Sequence, residues 1–165
     1  MKNIFILFTL LACITLTAQT DDKKWDVNHP PGDSSMTVIK TNEGTWMSID
    51  VSPDGENIVF DMLGDIFMMP IAGGKAKAIR SGLAWEVQPR FSPNGKHISF
   101  TSDAGGGDNL WTMNSDGSDA KQITKEKFRL LNNGTWVDNS NYVIGRKHFT
   151  SQRSLGAGEL WMYHI

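Results

Sequence analysis

Four histidines are the first residues to examine for chemistry: His29, His97, His148 and His164. A hydrolytic metal centre of the His-x-His kind needs two histidines one residue apart, with further His and Asp ligands. No two of the four stand that close, so no metal site is expected. A serine nucleophile in Gly-x-Ser-x-Gly is absent. Gly74-Lys75 is followed by Ala76 and lacks the upstream glycine of a phosphate loop. Asn114 to Asp119 has the polar character of a calcium loop but not its glutamate or full spacing. The matching place earlier, Ile71-Ala72-Gly73-Gly74, carries no acid, so a strand-connecting turn explains both. The sequence therefore predicts no catalytic residue and no cofactor in this chain. One group with binding chemistry remains: Arg146, Lys147, His148 and Arg153. They lie in thirteen residues, Arg146 to Gly158, that contain no acid. Such a stretch suits an acidic group of a substrate, or the docking of a partner domain.

Those cations hang on a repeat. Ser52-Pro53-Asp54-Gly55 returns forty residues later as Ser92-Pro93-Asn94-Gly95. Proline pre-sets φ for a turn, Asp or Asn tolerates the next position, and glycine accepts positive φ. Each copy follows an apolar residue (Val51, Phe91) and precedes an alternating run ending in Phe60 or Phe100, which is a hairpin signal. A third copy is degenerate: Asp138-Asn139-Ser140 replaces Pro-Asp-Gly, and Tyr142-Val143-Ile144 follows. A second strand recurs as Ile66 to Met69, Leu110 to Met113 and Leu160 to Tyr163. In it Phe67, Trp111 and Trp161 share one register position, expected to fill the gap between neighbouring units. A period near forty with four strands per unit points to propeller blades. The blades run over 45–80, 85–124 and, incomplete, 130–165. The expected fold is all-β: a partial propeller of about three four-stranded antiparallel blades that stops before its ring closes.

The loop between second and third strands lengthens along the chain. It has four residues in blade one (Asp61 to Gly64), eight in blade two (Thr101 to Asp108) and thirteen in blade three. Extra length in a repeat maps to one face, often the binding face. Asp50 and Arg90 fall at equivalent inner-strand positions and are expected to pair between adjacent blades.

The chain has 165 residues, 39% hydrophobic, with a formal charge of −2 and no gathered basic stripe, which argues against a nucleic-acid partner. Lys2, the apolar run Ile4 to Leu16 and Ala18 form a signal peptide over 1–18. The mature chain is then exported, periplasmic or secreted, with no transmembrane span. The minor alternative is a lipoprotein acylated at Cys13. Residues 19–44 read as an extension with a possible strand over Met36 to Lys40.

Phe91 to Lys96, Ile98-Ser99-Phe100, Leu110 to Asn114, Asp116-Gly117-Ser118 and Gln122-Ile123-Thr124 resemble the TolB-like six-bladed β-propeller repeat, over roughly Thr45 to Ile165. Trp46 to Val51, Asp61 to Ile66, and Lys147 to Ser151 with Ser154 to Glu159 resemble the propeller ahead of exported amidohydrolases. That resemblance implies a non-catalytic module that binds for, or gates, a downstream metal-dependent amidohydrolase domain. A zinc ion would belong to that domain, and the substrate would be a peptide or small amide. The alternatives are a stand-alone propeller that binds envelope proteins, and the propeller of a secreted serine peptidase.

Overall fold

The computed structural model describes residues 25–151 and 157–165; the expected signal peptide and Arg153 lie outside the described residues. Eleven strands follow one another: β1 (Ile49–Val51), β2 (Asn57–Met62), β3 (Asp65–Pro70), β4 (Lys77–Arg80), β5 (Glu86–Phe91), β6 (His97–Ser102), β7 (Asn109–Asn114), β8 (Lys121–Gln122), β9 (Leu131–Trp136), β10 (Tyr142–His148) and β11 (Gly158–His164). They form three antiparallel meanders, β1-β2-β3-β4, β5-β6-β7-β8 and β9-β10-β11. No helix occurs among the described residues.

The turn that repeats in sequence repeats bond for bond. The Gly55 amide donates to the Ser52 carbonyl at 2.8 Å, and the Gly95 amide to the Ser92 carbonyl at 2.8 Å. The Ser52 and Ser92 hydroxyls each accept the amide five residues on, at 2.9 Å, and Asp54 and Asn94 each accept the amide two residues on, at 3.0 Å. Gly55 and Gly95 have φ of 75° and 69°. The degenerate third turn keeps this backbone. Ser140 donates its amide to the Val137 carbonyl at 2.9 Å and takes φ of 59°. A serine there carries the steric cost that glycine avoids.

The core lies between blades. Val59 and Ile66 of blade one meet Phe91, Ile98, Phe100 and Met113 of blade two. Leu110 of blade two meets Leu131 and Val143 of blade three. Each fully buried aliphatic or aromatic side chain contributes about 1.5–3 kcal/mol. Trp111 enters the first gap and stacks on Phe100, centroids 6.3 Å apart. Gly145 leaves room in the second gap, where an added Cβ would lie 2.5 Å from the Leu110 side chain. Phe67 instead stacks on Phe60 on the outward side of blade one, and Trp161 is 46% exposed. Blade two is thus covered on both faces. The outward faces of blades one and three keep Ile49, Val51, Leu160 and Met162 exposed.

The strand expected over Met36 to Lys40 does not form. That segment is exposed and joins no strand ladder, and an isolated strand is not stable without one.

Gly55 offers a clean test of the turn, because an added Cβ meets nothing within 4 Å. Gly55→Ala should cost about 1 kcal/mol, the left-handed penalty alone. Gly117→Ala should cost more, because its Cβ would also strike the Ile79 carbonyl. Urea unfolding of the two variants checks the order.

Candidate functional site

An antiparallel meander places alternate connections at opposite ends of its sheet. One end of these blades carries the links 81–85 and 123–130 together with the β2–β3, β6–β7 and β10–β11 connections. Those three connections have two, six and nine residues, shorter than expected, because the ladders run on to Met62–Asp65, Ser102–Asn109 and His148–Gly158. The order of lengthening holds. The consequence is a correction: Arg146, Lys147 and His148 are strand residues of β10, not loop residues.

Strand alternation then separates them. Lys147 turns toward blade two, where its ammonium pairs with Glu126 and lies 5.0 Å from the centre of the Trp161 ring. The Lys147 hydrogen bond holds the Glu126 carboxyl below its usual range. Trp161 also donates its indole N–H to Glu159 at 2.9 Å. Beside this pair a cleft of about 390 Å³ opens between Thr124, Lys125, Glu126, Trp161 and Tyr163. Arg146 and His148 point the other way, away from blade two. His148 is buried, 3.3 Å from the Asn132 side-chain oxygen. Arg146 is half-buried, with no carboxylate in ion-pair range among the described residues. Of the described members of the expected cluster, Arg146 is the charge without an ion-pair partner.

The other histidines serve packing. His97 stacks on Trp136, His164 meets the edge of Tyr142, and exposed His29 pairs with Asp26. In the would-be calcium loop, Asp116 accepts both the amide and the hydroxyl of Ser118, as a turn residue does.

Two polar devices between blades escaped the sequence reading. The first joins inner strands. Gln88 and Asn133 sit at breaks in the β5 and β9 ladders with φ of 58° and 55°. Their amides turn away from their own sheets and must find acceptors elsewhere. Asp61 accepts the Ser48 amide at 3.0 Å and the Gln88 amide at 2.6 Å. The Gln88 side-chain oxygen accepts the Thr101 hydroxyl at 3.1 Å and the Asn133 amide at 2.9 Å. Asp61, Thr101 and Arg146 hold one repeat position, each opposite an aliphatic residue (Ile66, Leu110, Leu160). Asp61 accepts the Gln88 amide directly, and Thr101 donates to the Gln88 oxygen that accepts the Asn133 amide; arginine, a donor only, cannot take the place of Asp61.

The second device is Glu86, 2% exposed at the start of β5. One carboxylate oxygen takes Arg80 Nε at 2.6 Å, while the guanidinium lies 5.7 Å from the Phe100 ring centre. The other oxygen has no hydrogen-bond partner among the described residues. Burial pushes the Glu86 carboxyl up, and the Arg80 bond only partly offsets it. The expected Asp50–Arg90 pair does not form. Asp50 accepts the Phe91 amide at 2.8 Å, and Arg90 donates to the Ile49 carbonyl at 3.2 Å. Both still link blades one and two, but each bonds backbone rather than the other.

No family model matches the chain. It is 26% identical over 113 residues to the lasso peptide isopeptidase AtxE2 of Asticcacaulis excentricus, covering 68% of this chain and 15% of that protein. It is 26% identical over 128 residues to the Tol-Pal system protein TolB of Helicobacter hepaticus, covering 75% of this chain and 30% of that protein. The crystal structure of TolB from Acinetobacter baumannii superposes with a TM-score of 0.59 at 23% identity, over 74% of this chain and 31% of that one. The chain therefore has the TolB-like propeller fold, and it spans less than a third of each of these relatives.

Asp61→Asn should destabilise the protein by about 2 kcal/mol, because an amide accepts at one atom only and its NH2 then faces a buried N–H. Glu86 sets a pH dependence. Its folded pKa is raised, so its contribution is full below the unfolded value and is lost as pH rises through the folded one. The thermal midpoint of Glu86→Gln relative to the parent should be higher at neutral pH and fall on acidification toward the ordinary glutamate range. A constant difference would show that Glu86 is not desolvated.

Proposed function

We propose that this chain is the non-catalytic propeller module of an exported protein, and that its loop-bearing end binds for, or gates, a hydrolase domain. The domain that suits the sequence best is a metal-dependent amidohydrolase with its own zinc, acting on a peptide or small amide. The observation that carries the reading is Arg146. It occupies the position where Asp61 accepts the Ser48 and Gln88 amides and Thr101 donates to Gln88, both within the propeller, yet among the described residues no carboxylate lies in ion-pair range of it. It stands beside the longest of the three connections. A guanidinium so placed suits a carboxylate from outside these blades.

The similarity to an isopeptidase supports a second reading, in which the hydrolase partner is a serine peptidase. Export rests on Lys2 and the apolar run to Leu16.

In the protein that carries the hydrolase domain, Arg146→Ala should raise KM about ten- to a hundredfold with kcat nearly unchanged, the weight of one charged hydrogen bond. Steady-state kinetics on the wild type and the variant give the split. Unchanged KM, together with unchanged association of the two domains, would remove the reading.

A further inference from the structure

The two ends of the blades differ in kind. At the loop-bearing end, Trp46, Leu63, Leu83, Trp85, Phe128 and Phe149 are each at least half exposed. They come from the connections and links of all three blades. The turns at the opposite end, Pro53 to Glu56, Ala72 to Lys75, Ser115 to Asp119 and Asp138 to Asn139, contain no exposed large apolar residue, although Val51, Ile71 and Ile165 lie beside them. Exposed apolar side chains gathered at one end of a fold are a feature of interaction surfaces.

The acids at the loop-bearing end have partners: Asp108 makes a contact of its own, and Glu159 meets Arg129 and the Trp161 indole. Asp61 accepts Ser48 and Gln88 amides, Asp65 accepts the Gly82 amide at 3.2 Å, and Asp103 accepts the Trp85 amide at 2.8 Å. Glu86 pairs with Arg80 and Glu126 with Lys147. Lys125, Lys127 and Arg146 have no acid in range among the described residues, and the two lysines are exposed on either side of Glu126. Phe128 is exposed next to Lys127, and the Trp161 cleft opens beside Lys125. Three charged side chains at this end that have no partner among the described residues, Lys125, Lys127 and Arg146, are therefore cations.

We infer that this end docks a protein segment that is acidic and carries apolar side chains. This rests on the docking-module reading and names the chemistry of its partner. Carboxylates of the segment meet Lys125, Lys127 and Arg146, and an apolar side chain enters beside Trp161 and Phe128. A membrane surface fits less well, because attachment to anionic lipid draws on clusters of four to eight basic residues.

The test uses the full chain and fluorescence anisotropy with three labelled peptides. One alternates Glu with Leu and Phe, one is its Lys counterpart, and one replaces the apolar residues with Ser. The acidic apolar peptide should bind at least tenfold tighter than either other, with affinity falling as salt rises. The double change Lys125→Glu, Lys127→Glu should weaken it at least tenfold, and Phe128→Ser severalfold. Lys75→Glu, at the opposite end, should leave it within twofold. Equal binding of the basic peptide, no binding by any of the three, or no effect of the double change in a variant with unaltered circular dichroism overturns the inference. So does peptide displacement by phosphatidylglycerol vesicles. If the peptides fail while Arg146→Ala still raises KM, the docking module stands and only its partner chemistry falls.

Discussion

A backbone N–H turned out of its own ladder must be satisfied from somewhere else, and here the neighbour supplies the acceptor. The inner strands β5 and β9 each break their pairing at one residue, Gln88 and Asn133. The freed amides are caught by Asp61 and by the side chain of Gln88, from the blade before. Hydrophobic burial brings the blades face to face, but it tolerates sliding. These directed bonds fix how far each blade is rotated and shifted against the next. The residues at the loop-bearing end inherit that register, including the position of Arg146.

Much of the architecture was legible in the residues. Ser52 to Gly55 and Ser92 to Gly95 announce the same turn, and the two share the amide bonds to serine and to Asp54 or Asn94 at the same spacing. Asp138-Asn139-Ser140 folds the same way with serine in the glycine place. What spacing does not reveal is which atoms win a contest. Asp50 and Arg90 do stand at the join between blades, as their register says. Yet an otherwise unpaired Phe91 amide takes the carboxylate, and the guanidinium turns to carbonyls. Charge complementarity between side chains lost to backbone satisfaction, which no pairing of letters displays.

The site was legible only as a direction. The lengthening loops do share one end of the blades. Reading Arg146, Lys147 and His148 as one cluster failed because the ladder continues to His148 opposite Gly158, and a continuing strand sends neighbours to opposite faces. Lys147 is then spent on Glu126 and Trp161, and His148 lies buried beside Asn132. Glu86 left no trace in the pattern at all. A glutamate opening a strand usually faces water, and only the overlap of blade one onto β5 buries it.

The inner-strand bonds share a polarity in time as well as in space. Asp50 precedes Phe91, Asp61 precedes Gln88, and Gln88 precedes Asn133: the accepting group always comes earlier in the chain than the amide it receives. During synthesis, which proceeds from the N-terminus, each new blade emerges to find its template already made. For these three bonds the acceptor has been translated before the amide that needs it. Assembly can advance like a zip, one blade locking before the next appears.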